Sequence, residues 1–154
     1  MTPLDQLSLF DPAQRAGFER RIAALAPGSP ARFGKMDAAQ MLAHCQRPLR
    51  VALGDLRLRR SLIGILFGRL AKRKLLVPRP WKPGMPTAPE FVVREEHDFA
   101  TERAALLALV RRFGEGGPAI LVSEPHPFFG PLTVREWDLL QARHLDHHLA
   151  QFGV

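Results

Sequence analysis

Residues 133–152 read TVREWDLLQARHLDHHLAQF, and this stretch decides how the chain folds. Thr133 followed three residues later by Glu136 is a capping-box pattern, in which each side chain bonds the other residue's backbone amide at a helix start. A helix turns about 100° per residue, so positions three and four apart share a face. Val134, Leu145, Leu149 and Phe152 then form an apolar stripe, and Trp137, Gln141, His144, His148 and Gln151 form a second stripe along its flank. His147 lies further from the apolar centre, and Asp146 falls roughly opposite the histidine stripe. The spacing therefore predicts His144 and His148 as an inward-facing pair, with His147 solvated.

Working outward from this helix, the remaining chain reads as further helices joined by proline-rich connections. Asp11-Pro12 places a capping residue before a proline at the first helical position, and Pro27-Gly28 stops that helix. A second helix starts at Asp37 and runs through AAQMLAHCQRPLRVALGD, with Pro48 expected to bend it or end it locally. A basic amphipathic helix is expected from about Ser61 to Leu75. Residues 77–97, VPRPWKPGMPTAPEFVVREEH, form neither a helix nor a central strand. They read as a crossing loop with at most a short extended piece at 91–93. Another helix opens at Asp98 and stops at Gly114–Gly117, and the loop 118–132 leads to Thr133. The expected fold class is all-α: a bundle of four helices with an additional short amphipathic helix and a Pro-rich crossing loop.

With 154 residues, 46% of them hydrophobic, the chain is expected to form one domain, residues 1–154, able to bury a core without disulfides. The single cysteine, Cys45, excludes an internal disulfide framework and suits a reducing cytoplasm. The opening MTPLDQLSLFDPAQR lacks the basic and apolar regions of a secretory signal. No apolar run approaches the roughly 20 residues needed to span a bilayer. Together these features predict a cytoplasmic location.

The net charge is +7, and most arginines are dispersed. The exception is 57–74, RLRRSLIGILFGRLAKRK, where cations flank an apolar centre. Such a segment can lie on an anionic membrane surface or on nucleic-acid phosphates. The plainer expectation is a surface helix with a buried apolar side and a solvated basic side.

Two imidazoles at i and i+4 leave a helix side by side and can grip one metal ion. A third ligand from another helix would complete a site, and His44 is the candidate. It shares a stripe with Met41, Pro48 and Val51 at the edge of the second helix's apolar arc. Taken alone, a histidine there is usually a satisfied core residue. Cys45 points about 100° away from His44 and reads as a small core residue. His126, in SEPHPFFGP, reads either as a proton shuttle or as a loop residue held by turn hydrogen bonds. The chain has no glycine-rich phosphate loop, HExxH, CxxC or serine-centred elbow.

RFGKMDAAQMLAHC at 32–45, HPFFGPLTVREW at 126–137 and HLDHHLAQFG at 144–153 together resemble the DinB-like superfamily, in particular a branch known only as a domain of unknown function. The resemblance runs from about Phe33 to the C-terminus. It implies a four-helix bundle, often a homodimer, with a metal site built from His44, His144 and His148. It also implies a divalent ion such as zinc, nickel or iron. Some members are transferases that use a low-molecular-weight thiol: bacillithiol, mycothiol or glutathione. The superfamily's last ligand is commonly followed by Arg-Gly-Gln, whereas His148 is followed by Leu149-Ala150-Gln151.

Three functions follow as expectations. The first is a metal-dependent transferase or hydrolase acting on a small-molecule substrate. The second is a non-catalytic bundle that uses metal or dimerisation for stability. The third is a membrane-surface or nucleic-acid binder acting through Arg57 to Lys74.

Overall fold

The computed structural model describes residues 3–60, 62–85 and 87–154. Among these the protein has five α-helices, two 3-10 turns and no strand. Four of the five helices begin where a local side chain satisfies a free amide. Asp11 accepts from the Gln14 amide at 2.9 Å and starts α1, Pro12–Ala23. A full capping box between Asp37 and Gln40, with bonds of 2.8 and 3.1 Å, starts α2, Ala38–Ala52. α3 spans Leu62–Leu76; Ser61, where the sequence reading starts it, lies outside the described residues. Asp98 accepts from the Thr101 amide at 2.8 Å and starts α4, Phe99–Gly116. That helix ends at Gly117, whose φ of 58° with ψ of −149° is a backbone conformation open essentially to glycine alone. The Thr133–Glu136 box is complete, with bonds of 2.8 and 3.1 Å, and starts α5, Val134–Gln151.

α2 packs most extensively on α4 and also meets α5, while α1 lies against α4 and α5. Phe113, Leu9, Ile22, Leu42, Leu106 and Leu149 sit fully buried at the centre. Pro48 lies inside α2 and is buried there, yet the helix continues past it to Ala52. Lacking an amide hydrogen, Pro48 cannot bond the carbonyl four residues back, which belongs to His44.

Three local expectations change. Val134 is 45% exposed, so the inward part of α5 begins at Trp137 rather than at the first helical residue. Phe91 closes a 3-10 turn, Pro89–Phe91, instead of starting an extended piece. The larger difference is α3. Among its described residues the buried ones are Gly64 and Gly68, whereas Leu62, Ile63, Ile65, Leu66, Phe67 and Leu70 all face outward. A Cβ on Gly68 would collide with the Phe128 carbonyl, so the helix approaches the 126–130 turn through bare backbone. The large side chains consequently point away from that contact.

The crossing after α3 is tied down by Arg143, a buried residue of α5. Its guanidinium donates to the Val77 carbonyl at 2.7 Å and to the Arg79 carbonyl at 2.6 Å, and lies 5.3 Å from the Trp81 ring centre. No helix among the described residues is long and apolar enough to cross a membrane.

Candidate metal centre

Packing of α2 on α5 brings together side chains a hundred positions apart. His44 Nε2 and His144 Nε2 are 3.0 Å from each other. The three rings of His44, His144 and His148 have centroids 4.6 to 4.9 Å apart, and one nitrogen from each lies within 4.8 Å of the others. His44 is buried, and the other two are partly buried. The three residues selected by helical spacing thus form one cluster.

Hydrogen bonds fix two of the rings. His44 Nδ1 lies 2.8 Å from the Phe91 carbonyl. A carbonyl oxygen only accepts, so Nδ1 carries the proton and Nε2 presents a lone pair. The Gln151 amide nitrogen donates to the Phe33 carbonyl at 2.7 Å, which turns the amide oxygen toward His148 Nδ1 at 2.9 Å. That oxygen also only accepts, so His148 donates from Nδ1 and keeps its Nε2 lone pair free. Such outer contacts orient metal-ligating histidines in known sites.

Electrostatics keep the cluster neutral. Burial lowers the pKa of His44 and of His144, the latter well below the ordinary value, with His148 and His44 adding to the effect on His144. Burial and then the neighbouring His44 bring His148 to about 3. Deprotonated imidazole is the form that binds metal.

His147 is not solvated as its spacing suggests. The rings of Phe33 and Trp81 flank it at 5.4 and 5.9 Å, and it is half-buried. Trp81 also lies 6.3 Å from His144, forming a wall beside the cluster. Cys45 is a buried core residue, its thiol 3.6 Å from the Met41 sulfur and its pKa pushed up by burial. His126 belongs to its turn: Nδ1 accepts from the Phe128 and Phe129 amides at 3.1 and 3.2 Å, which makes it a structural residue rather than a shuttle.

Sequence reasoning did not find the carbonyls of Phe33 and Phe91, the role of Trp81, or the Arg143 tie. Backbone carbonyls carry no residue-type signal, and the crossing has no periodicity that would show where Trp81 falls. Gln151, three residues after His148 on one face, was the available clue to that ring's partner. Gln141, one turn before His144, is 2% exposed and its amide nitrogen has no hydrogen-bond partner among the described residues.

An all-helical chain with three converging imidazoles defines a protein with the composition of a metal site. Over residues 16–153 it matches the family described as "Protein of unknown function (DUF1569)", and it belongs to that family. Comparison with curated proteins and with solved structures finds no match.

Proposed function

We propose that the protein is a metal-dependent enzyme of the DinB-like kind, with His44, His144 and His148 as the ligands of one divalent ion. The observation that carries this reading is the convergence of three neutral imidazoles, two of which, His44 and His148, have their Nε2 lone pairs set by the Phe91 carbonyl and Gln151. Nitrogens bound to one zinc ion at about 2.0–2.1 Å stand roughly 2.9–3.4 Å apart for angles from square to tetrahedral. The 3.0 Å separation of His44 and His144 suits that geometry. Three neutral ligands leave room in the coordination sphere, as catalytic sites do.

When bound, such an ion is a Lewis acid that acidifies a water or a thiol. The protein's own groups do the rest. Burial keeps the imidazoles unprotonated, the Phe91 carbonyl and Gln151 hold two of them in register, and Trp81 and His147 shield one side of the cluster. The reaction class is transfer to or from a low-molecular-weight thiol, or hydrolysis.

Elemental analysis tests the site. Wild-type protein equilibrated with zinc, nickel or iron(II) and desalted should retain one ion per chain. His44→Ala, His144→Ala and His148→Ala should each lose it, and His147→Ala should keep it. Full retention in all three ligand variants would end the proposal. Cobalt-loaded protein should change its visible spectrum when glutathione is added; an unchanged spectrum would remove the thiol branch and leave hydrolysis.

A further inference from the structure

We propose that α3 is a docking surface for an anionic lipid membrane. Leu62 and Leu66 are 79% and 74% exposed, and Ile63, Phe67, Leu70 and Ile65 are between 65% and 53% exposed. Contiguous apolar exposure of this kind marks an interaction surface rather than ordinary scatter. The helix is built for it: Gly64 and Gly68, four residues apart, are the face turned to the protein. The bare backbone at Gly68 lets the helix dock on the 126–130 turn, and Lys72 and Leu76 continue the covered side, while Leu62, Ile63, Ile65, Leu66, Phe67 and Leu70 face out. Val77 and Met85, in the crossing that follows the helix, are also exposed.

Charge selects the occupant. Exposed Arg57, Arg59 and Arg60 precede the apolar centre, and exposed Arg73 and Lys74 follow it. Residues 56–89 contain no aspartate or glutamate. A second copy docked through the same face would set these cations against their like, with no carboxylate from the segment between them. Nucleic acid would satisfy the cations but leave the aliphatic and aromatic side chains in water. An anionic bilayer surface satisfies both: apolar side chains enter the acyl boundary while arginine and lysine reach headgroup phosphates. No helix among the described residues is long and apolar enough to cross, so α3 would lie in the interface plane.

Vesicle co-sedimentation with the full chain tests this. The protein should bind vesicles of phosphatidylcholine and phosphatidylglycerol in equal parts, should not bind phosphatidylcholine alone, and should release as salt rises. Leu66→Ser with Phe67→Ser alters only exposed side chains, so unfolding should be unchanged while vesicle affinity falls about tenfold or more. The His44→Ala, His144→Ala, His148→Ala triple variant should bind as wild type, which separates this surface from the metal proposal. Absence of binding to the anionic vesicles would overturn the inference. So would binding undiminished in the serine variant, the mark of a purely cationic contact such as one with DNA. A solution dimer that the serine variant dissociates would overturn it too, by assigning the face to a second copy.

Discussion

Gln151 has a single amide and two neighbours that constrain it. The Phe33 carbonyl can only accept, so the amide nitrogen faces it, and the amide oxygen is left for His148. Gly34 makes room for this: with φ of 82°, it adopts a conformation few other residues tolerate, and a Cβ there would meet the Gln151 nitrogen at 2.5 Å. Gln151→Ala should therefore leave the three histidines in place but release the orientation of His148. Metal affinity is expected to fall about 10–100-fold, the range for loss of an outer-shell partner, as read by competition with a chelator. Unchanged affinity would show that Gln151 does not position the ring. At this scale the sequence was informative about residue type and poor about protonation. Spacing on α5 separated His144 and His148 from His147, and that choice matches the cluster. Which nitrogen of each ring is free depends on carbonyls of Phe33 and Phe91, which every residue possesses and only folding brings near.

At the scale of elements, helix starts were legible because they are local. Asp11, Asp37, Asp98 and Thr133 each cap the helix that follows, accepting from the amide three residues on. The orientation of α3 was not legible. Its pattern separates apolar from basic residues, but the side that packs is chosen by the 126–130 turn, which accepts only glycine backbone at Gly68. That turn depends on His126, whose backbone pairs with Gly130 at 2.9 and 3.0 Å and whose ring meets Phe129 and Trp137. Burial lowers its pKa to about 4. In the unfolded chain histidine titrates near 6.5, so between these values the unfolded state holds more protons than the folded one. Stability contributed by neutral His126 is thus complete above about pH 6.5 and is lost as pH falls toward 4. Protonation would also turn the Nδ1 acceptor into a donor facing two amides. His126→Asn retains an acceptor that does not titrate. Thermal unfolding of both metal-free proteins from pH 4 to 7 should show wild type losing up to about 3 kcal/mol more on the acid side. Parallel curves would mean that His126 is already charged, or indifferent, in the fold.

For the whole molecule, long-range ties decide what packing alone would leave loose. Asp138 is 2% exposed and accepts from the Ser8 hydroxyl at 2.6 Å, the Leu9 amide at 2.7 Å and the Phe10 amide at 3.3 Å. It holds the segment before α1 against α5 and keeps Leu9 in the core. Asp138→Ala would leave the buried Leu9 amide without its acceptor, and urea unfolding should show a loss of about 2–4 kcal/mol with metal content unchanged. A loss below about 0.5 kcal/mol would show that water or a neighbour replaces the carboxylate. Arg21 makes a second tie, bonding Asp146 at 2.7 Å and the Val154 carbonyl at 2.9 Å, so Asp146 is engaged rather than simply solvated. The sequence by itself determined that the chain is helical, where α1, α2, α4 and α5 begin, and which histidines share a face. These follow from capping and from the period of the helix, properties of residues within a few positions of one another. Tertiary structure alone decided that His44 meets His144 across a hundred residues, that burial keeps the imidazoles neutral with the Nε2 lone pairs of His44 and His148 left free, and that α3 turns its apolar side outward. Each of those depends on which groups lie across a packed interface, and neither burial nor hydrogen-bond partners at that distance are encoded in local periodicity.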